Sequence, residues 1–275
     1  MFTETLTKTW PLGLLVLLSA LEFAVPRRTC TEGRSLRWPT NLTIGSLSAL
    51  LTLVPIAPVA LAAACADLRW GLLNHARVSL PLAVAIAVLV LDLRTYLQHR
   101  LFHANATLWR VHRVHHADVD LDATTGFRFH PFEALLSNIT LIAGIVILGL
   151  PPLGVAAYLA LSAANTIFTH ANIRLPSAIE SCAQSLLVTP TLHAVHHSIR
   201  PIDSESNFAT IFSVWDRLGS TYRPAPHGDH GDMPIGLAEF RQPRYLTLPW
   251  TLALPFCSGP STPIHAAREG AAQAD

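Results

Sequence analysis

Charged residues are scarce in this chain. Asp, Glu, Lys and Arg together account for 13% of its 275 residues, whereas hydrophobic residues account for 51%, and the mean hydropathy is +0.38. About 25% of the residues of an ordinary soluble domain are charged, so the composition excludes that class and indicates a membrane protein. The sequence also has no internal repeat and no sign of a separable second domain. We therefore expect one folded domain.

Paired cysteines, long basic runs and the zinc-protease motif are also lacking. The net charge is +1 and no run of Lys and Arg is longer than a pair, so nothing indicates a nucleic-acid partner. No CxxC motif is present, which excludes a zinc ribbon and a dithiol motif, and no HExxH motif supports a zinc protease. The cysteines are far apart, at Cys30, Cys65, Cys182 and Cys257.

Histidine, by contrast, is abundant and clustered. Ten of the fourteen histidines lie between positions 99 and 197. The stretch 92–116 holds an HxxxH and an HxxHH motif, and a second HxxHH motif begins at position 193. The clustered residues are His99, His103, His112, His115, His116, His193, His196 and His197. Because residues three and four apart share one face of a helix, we expect each cluster to direct its imidazoles at one point.

Eight clustered imidazoles exceed the capacity of one metal ion, which accepts about four to six ligands. Two metal ions are therefore expected. A single HxxxH motif would be explained equally well as a solvated helix face at a membrane surface, but three clusters, two of them with the same pattern, favour metal binding. All-imidazole coordination suits iron, copper or zinc. Haem is disfavoured, because bis-imidazole ligation needs single histidines that face each other across a bundle.

A pair of redox metals beside the bilayer could activate dioxygen and attack a C–H bond of a lipid, whereas zinc cannot supply electrons. The alternative is a non-enzymatic membrane protein that binds or transports metal. Transporters place their polar ligands near the bilayer midplane on broken helices. Here the clusters lie in charged segments that flank the apolar runs, which favours an enzyme.

Two apolar runs precede the first histidines. The run Trp10–Val25 is predicted to be an uncleaved first span rather than a cleavable signal peptide. The basic residues that follow it place the next loop in the cytoplasm by the positive-inside rule. The run Asn41–Cys65 has no charge and is long enough for a second crossing, with kinks at Pro55 and Pro58. The basic residues are Arg27, Arg28, Arg34 and Arg37.

The third apolar run starts near Val78, and its helical pattern continues beyond Leu91 into the HxxxH motif without Gly or Pro. We expect one helix that leaves the membrane and carries these histidines on its cytoplasmic extension. Asp92 in this helix is costly unless it is paired. Arg94 or a histidine ligand is the expected partner, and a helix-end charge that reaches water is the alternative.

The remaining apolar run, Leu135–Thr169, is interrupted by Pro151 and Pro152, which predicts a helical hairpin. The sequence thus predicts an all-α integral membrane protein with about four transmembrane helices and a cytosolic, histidine-rich helical cap. From about Arg223 onwards we expect a loose tail. The histidines of that tail are expected to be solvated; they are His227, His230 and His265.

Six segments carry a resemblance to a known family. They are DLRTYLQHRLFH, LWRVHRVHHAD, TTGFRFHPFE, FTHANI, TPTLHAVHHS and NFATIFSVWDRLGSTYRP, in that order. Over roughly residues 90–222 they resemble the fatty acid hydroxylase superfamily, also called the sterol desaturase family. The resemblance implies an integral membrane di-iron oxygenase that uses dioxygen and external electrons to hydroxylate or desaturate a lipid. It also implies nine metal ligands: His99, His103, His112, His115, His116, His170, His193, His196 and His197.

Other positions match the family less decisively. His130 matches a recurrent position and is expected either to bind metal or to make a structural hydrogen bond. Asp92 and Asp216 could support the metal site, and Asp216 belongs to the family's closing motif, which could instead pack against the cap. The segment Gly219–Tyr222 departs mildly from the usual Phe-Gly-Thr-Tyr run, without consequence for the ligands.

The resemblance divides the chain into N-terminal transmembrane helices at 1–79, a catalytic domain at 80–222 and the tail at 223–275. It leaves the lipid open, with sterol, fatty acyl and alkylglycerol types all possible. No cytochrome or ferredoxin module is visible in the sequence, so we expect a separate electron donor of the cytochrome, ferredoxin/reductase or pterin type. Zinc is expected to replace iron in some purified material.

Overall fold

The computed structural model describes residues 2–30, 33–53, 58–227 and 233–259. In these ranges the chain is helical and contains no β-strand, as the sequence predicts. Short 3-10 helices span Ala123–Phe127, Pro243–Leu246 and Leu254–Phe256. The α-helices are α1 (Phe2–Ala24), α2 (Arg34–Leu53), α3 (Pro58–Asp67), α4 (Leu72–His75), α5 (Leu80–Ala104), α6 (Ala106–His116), α7 (Pro131–Leu148), α8 (Pro152–His170), α9 (Ser177–Gln184), α10 (Pro190–His196), α11 (Pro201–Ser204), α12 (Val214–Leu218) and α13 (Leu248–Ala253).

Three of the described helices are long and apolar enough to cross a membrane. They are α5, α7 and α8, with mean hydropathies of 1.9, 1.8 and 1.3. Large hydrophobic side chains such as Leu82, Ile139 and Leu153 are exposed on these helices, as expected of surfaces that face lipid. The first apolar run forms a shorter helical segment, Trp10–Ala24.

The second apolar run contributes to two described helices. α2 begins at Arg34 and ends at Leu53, and α3 begins at Pro58; Pro55 lies outside the described residues. α2 thus begins before the apolar run, and its residues Arg37 and Asn41 are buried against polar groups of the segment after α6. The N-terminal part of α2 is therefore anchored in a polar core.

The predicted break at Pro151 and Pro152 is confirmed, because it separates α7 from α8. α7 ends at Leu148 and is capped by Gly149, which has φ +64°, the left-handed conformation that favours glycine. A Cβ atom at this position would lie 2.5 Å from the carbonyl oxygen of Trp70, so the close approach also requires glycine. Pro151 caps α8 and Pro152 occupies its first turn, where proline is tolerated.

The three long apolar helices and α3 share an apolar core. α8 packs against α5 and α3, and α3 also packs against α7. The core centres on Leu91, Ile145, Val155 and Tyr158, all nearly or fully buried. Close packing of these side chains fixes the relative positions of the helices that carry histidines, because a densely packed interior tolerates little displacement.

A buried ionic network holds the segment between α6 and α7. Arg37 donates to Asp118 Oδ1 at 2.6 Å and to Asp122 Oδ2 at 2.7 Å, and all three side chains are buried. Burial alone would raise the pKa of Asp118, but the Arg37 charge outweighs it and lowers that pKa to about 2. The network joins α2 to the chain directly after the first HxxHH motif.

The expectation of a loose tail is wrong for residues 233–257. Phe240 and Leu254 are buried in a cluster with Ile44 and Val114, and Arg113 donates to the carbonyl oxygens of Leu254 and Cys257. The apolar residues of this segment have no helical or strand period, and for that reason the sequence pattern does not reveal the packing. The side chain of His227 is exposed, as expected, whereas His230 and His265 lie outside the described residues.

Candidate metal centre

A short turn brings the first two histidine motifs together. α5 ends at Ala104, α6 begins at Ala106, and the Asn105 side chain between them accepts from the backbone N–H groups of Thr107 and Leu108. This N-cap fixes the start of α6. Because α5 and α6 pack against each other, the HxxxH motif near the end of α5 faces the HxxHH motif at the end of α6.

Two further elements complete the centre. α10 starts with Pro190 in its first turn, is capped by the Thr189 side chain, and carries His193 and His196, with His197 directly after it. The last residue of α8 is His170, and α8 packs against α10. The second HxxHH motif is thereby placed beside the first.

The structure brings all nine sequence-predicted histidines together, in two groups. Within each group the potential ligand atoms lie within 4.8 Å of one another. The larger group contains His99, His103, His112, His116 and His196, and the smaller group contains His115, His170, His193 and His197.

Each HxxHH motif divides its residues between the two groups, so the expectation that each cluster aims at one point is wrong for these motifs. His112 and His116 belong to the first group, whereas His115 belongs to the second. The helical geometry explains the division: positions i and i+4 point about 40° apart, but i+3 and i+4 point about 100° apart. In the second motif His196 belongs to the first group, whereas His193 and His197 belong to the second.

The Nε2 atoms of each group converge. In the first group Nε2 of His99 and Nε2 of His112 are 3.0 Å apart, and those of His103 and His116 are 3.1 Å apart. In the second group Nε2 of His170 lies 3.1 Å from that of His115 and 2.9 Å from that of His193.

Hydrogen bonds at the other ring nitrogen leave several of these Nε2 atoms without a proton. His99 Nδ1 lies 2.7 Å from the carbonyl oxygen of Phe208, and His112 Nδ1 lies 2.7 Å from Glu133 Oε1. Both oxygens are acceptors, so each Nδ1 carries the proton and each Nε2 presents a lone pair. Two lone pairs facing each other at 3.0 Å repel. A cation bound between them removes the repulsion, so these residues fit a metal ion.

Two other histidines, one in each group, also donate a hydrogen bond through Nδ1. Nδ1 of His170 donates to the carbonyl oxygen of Thr166, and Nδ1 of His196 donates to that of Ser206, both at 2.7 Å. The buried Nε2 of His196 has no hydrogen-bond partner in the described structure. An orphaned acceptor of this kind is costly unless it binds something.

Two carboxylates that the sequence did not single out contact the histidines. Glu133 pairs with His112, and Glu205 Oε1 lies 3.0 Å from His103 Nδ1. Burial raises the pKa of Glu205 to about 7. Carboxylates that accept from a ligating imidazole fix its orientation and increase its basicity. Glu133 is the last residue of the family-like segment TTGFRFHPFE, which could have drawn attention to it. No sequence signal separates Glu205 from other glutamates, because its contact with His103 comes from tertiary packing.

Five of the clustered histidines are neutral at physiological pH. Burial, and secondarily the neighbouring imidazoles, lower the pKa of His115, His116, His193 and His197 well below the usual value. The pKa of His196 falls to about 3, chiefly by burial. Neutral imidazole is the form that binds a metal ion.

His130 lies outside both groups. Its Nδ1 accepts from the backbone N–H of Phe132 at 3.2 Å, so the side chain caps α7, and its Nε2 lies 3.3 Å from the carbonyl oxygen of Leu252. Of the two expected roles, these contacts are those of a structural hydrogen bond.

Asp92 does not pair with Arg94 or with a histidine, and that expectation is wrong. Its buried carboxylate accepts from the backbone N–H groups of Ile211 and Phe212 and from the indole of Trp215 at 2.8 Å. These donors come from a segment distant in sequence, which the local pattern around Asp92 could not show.

Asp216 binds the chain just before Ile211 and Phe212, the residues that Asp92 binds. It accepts from the backbone N–H groups of Phe208 and Ala209 and from the Thr221 hydroxyl. Burial raises its pKa to about 6, against the lowering effect of these hydrogen bonds. Asp92 and Asp216 therefore contact no ligand atom, but they position the segment whose Phe208 carbonyl binds His99.

A cavity of about 520 Å³ lies between α5, α7 and α8 and reaches the histidines. Its lining is mostly apolar and includes Leu141 and Phe102, with polar side chains such as Arg94 and Gln98. A cavity of this size accommodates a small-molecule substrate or part of a longer one. Both groups contribute to its wall, through His99, His112, His115, His170 and His193.

Residues 84–221 match the sequence profile of the fatty acid hydroxylase family, which covers half of the chain. The chain belongs to this family. The matched region includes all nine convergent histidines and both carboxylates that contact them.

Several characterised proteins of this kind are similar to the chain. The ornithine lipid hydroxylase OlsE of Rhizobium tropici is 28% identical over 153 residues, which cover 55% of this chain and 45% of that protein. The very-long-chain aldehyde decarbonylase GL1-9 of Oryza sativa subsp. indica is 31% identical over 50% of this chain and 54% of its own length. The alkylglycerol monooxygenase of Danio rerio is 28% identical over 60% of this chain and 36% of its own length.

The matched part of this chain spans about half or less of each of these relatives. No solved structure gives a significant match to it.

Proposed function

We propose that this protein is a membrane-bound oxygenase with two non-haem iron ions that hydroxylates or desaturates a lipid. The observation that carries the proposal is the convergence of nine histidines into two adjacent groups beside a cavity between apolar helices. Family membership supports the same conclusion, because the relatives named above include a hydroxylase and a monooxygenase.

The two histidine groups would hold one ion each. Imidazole ligands suit iron, and zinc can occupy the same ligands when it is more available. Bound iron would supply the electron transfer that dioxygen activation needs. For hydroxylation, a C–H bond, dioxygen, two electrons and two protons give an alcohol and water. Desaturation consumes the same co-reactants and gives a C=C bond and two waters.

The chain's own residues position the reaction. Glu133 and Glu205 orient His112 and His103, and the Phe208 and Ser206 carbonyls orient His99 and His196. The cavity would bring a lipid C–H bond to the histidines while apolar side chains exclude bulk water. The two electrons would come from a separate donor of the cytochrome, ferredoxin/reductase or pterin type.

The substrate class follows from the cavity and the relatives. The cavity lies between helices with lipid-facing outer surfaces, and the names of the relatives specify an ornithine lipid, an alkylglycerol and a very-long-chain aldehyde. We infer a lipid of the sterol, fatty acyl or alkylglycerol type.

We further propose a multi-pass arrangement with the histidine groups on the cytosolic side. The first apolar run would cross to the cytoplasm, where the arginines that follow it would lie, and the second run would return the chain to the outside before α5. Residues 80–222 would form the catalytic domain. Labelling of cysteines introduced at Thr107 and Arg200, exposed positions close to the two HxxHH motifs, tests the orientation. Modification only from the outside would contradict it.

A non-enzymatic membrane protein that binds or transports metal is the alternative. It would place polar ligands near the middle of the bilayer, whereas His103 and His170 occupy the last turns of α5 and α8. The deciding experiment compares the lipids of cells that contain the wild type or a His112→Ala variant. Oxygen-dependent appearance of a hydroxylated or unsaturated lipid only with the wild type supports the oxygenase, and identical lipids would contradict it.

A further inference from the structure

A cation lines the part of the cavity that lies within the membrane helices. Arg94 is on α5, in the middle of a helix apolar enough to cross a membrane. Its side chain contributes to the cavity wall, which continues to His99 one and a half turns later. Ionisable groups at this depth are costly and commonly have a function.

The hydrogen-bond partners of Arg94 are all neutral. One terminal nitrogen, Nη1, donates to the Ser137 carbonyl oxygen at 2.8 Å and to Thr140 Oγ1 at 2.7 Å. It also donates to Gln98 Oε1 at 3.2 Å, and Nη2 donates to Thr95 Oγ1 at 2.9 Å. The buried Nε atom has no acceptor. Within the described ranges, no carboxylate forms an ion pair with this guanidinium.

Asp92, two residues earlier, does not supply the missing charge at close range. Its two carboxylate oxygens accept from Ile211, Phe212 and Trp215, on a different part of the fold. No carboxylate therefore contacts the guanidinium directly: Asp92 acts on it only at longer range, and Glu133, which also lines the cavity, pairs with His112. The guanidinium charge is stabilised much more strongly by an anion than by hydroxyl and carbonyl groups.

A structural role does not account for the charge. The contacts of Arg94 link α5 to Ser137 and Thr140 on α7, but a neutral amide side chain could donate the same kind of hydrogen bond without the cost of a buried cation. Arginine is favoured where a planar, permanently charged group binds a carboxylate or a phosphate. The cavity next to it is where such a group would enter.

We propose that Arg94 binds an oxyanion of the substrate, the carboxylate or phosphate of an anionic lipid, inside this cavity. The inference rests on the proposed function, because it specifies the lipid class that the same cavity accepts. Gln98, Ser137 and Tyr158 also line the cavity and offer polar groups beside the anion. Because Arg94 and His99 are about 7.5 Å apart along the helix axis, the polar end of the lipid would lie close to the histidines.

Binding can be measured without turnover. Detergent-solubilised protein is equilibrated under argon, with no electron donor, with radiolabelled palmitate, methyl palmitate or a lysophosphatidate with the same acyl chain. We expect the wild type to bind one of the anions at least about tenfold more tightly than the neutral ester. Tighter binding of palmitate would identify a carboxylate as the ligand, and tighter binding of the lysophosphatidate would identify a phosphate.

The preference should be lost in Arg94→Gln and partly retained in Arg94→Lys, which keeps the charge but not the planar fork. Arg100→Gln is the matched control, since Arg100 is an exposed arginine on the same helix that does not line the cavity. It should bind like the wild type. Equal binding of ester and anions by the wild type, no binding of any probe, or a preference that survives Arg94→Gln would overturn the proposal. The first two outcomes need no variant.

The same samples separate this inference from the proposed function. Metal content and oxygen-dependent lipid products are measured independently of the probes. Loss of the anion preference with metal and product retained would overturn the role of Arg94 alone. An anion preference in a protein that yields no oxidised lipid would overturn the oxygenase alone.

Discussion

His99 Nδ1 donates to the carbonyl oxygen of Phe208 at 2.7 Å, across 109 positions of sequence. The backbone N–H of Phe208 in turn donates to Asp216 Oδ1 at 2.8 Å. The orientation of the first histidine therefore depends on a carboxylate that contacts no ligand atom. The family's closing motif thus acts on the metal centre through one peptide unit.

Replacing Asp216 with Ala should weaken both metal retention and stability. The buried N–H groups of Phe208 and Ala209 would lose their acceptor, at a cost of about 1–3 kcal/mol each, and the Phe208 carbonyl would be free to move away from His99. Thermal unfolding and metal content of the purified protein measure the two effects. Asp67→Ala, at an exposed site on α3, should change neither. Unaltered metal content in Asp216→Ala would contradict the positioning role.

Glu133 should control how firmly the first histidine group holds its metal. Glu133→Ala removes the acceptor of His112 Nδ1, and loss of such a partner lowers metal affinity about 10–100-fold. Glu133→Gln, which keeps an acceptor oxygen, should fall between the wild type and Glu133→Ala. The metal that each variant keeps after dialysis against increasing concentrations of a chelator measures this order of affinity. Exposed Glu239→Ala serves as the control, and equal metal loss in all variants would contradict the prediction.

The buried network around Arg37 should be a main determinant of stability. Arg37→Met would leave the carboxylates of Asp118 and Asp122 buried without their cation, and breaking a buried pair from one side costs about 3–5 kcal/mol. The melting temperature of the detergent-solubilised protein should fall clearly. Combining Arg37→Met with Asp122→Asn should restore part of the loss, because Asp122 is then uncharged while Asp118 still interacts with the buried Arg128. An unchanged melting temperature in Arg37→Met would show that the network is dispensable.

The nine convergent histidines should be individually required for turnover. Alanine at any of them removes a ligand that neighbouring residues cannot replace, so oxygen-dependent product formation should be lost while the protein stays in the membrane. His75→Ala and His227→Ala, at exposed positions, should have little effect. His130→Ala should cause a partial loss, because the residue caps α7. Substantial activity in His115→Ala or His196→Ala would contradict the ligand assignment.

The sequence predicted the histidines better than their arrangement. Spacing and number identified His99 and the other cluster members, and the family pattern added His170, because these signals are local. The division of each HxxHH motif between two groups depends on the difference in direction between positions i+3 and i+4, and on which helix lies opposite. A partner such as Glu205 comes from tertiary packing and leaves no local pattern.

In the fold, too, the sequence predicted local features but not tertiary contacts. Long apolar runs and the Pro151-Pro152 break predicted α5, α7 and α8, because length and hydropathy suffice for membrane helices. The polar anchoring of α2 through Arg37 could not be predicted, since its partners lie more than eighty residues away. The packing of Phe240 and Leu254 was also missed, because single apolar residues at irregular spacing resemble a loose segment.

The metal content of the intact protein tests the central claim most directly. Protein expressed with ample iron, extracted in mild detergent and analysed for all transition metals should contain two metal ions per chain, with iron predominant. Zinc at two per chain would preserve the two-ion centre, because zinc can occupy imidazole ligands by availability. His112→Ala and His193→Ala, one in each group, should each retain about one ion or fewer. One ion per chain in the wild type, or none, would contradict the account.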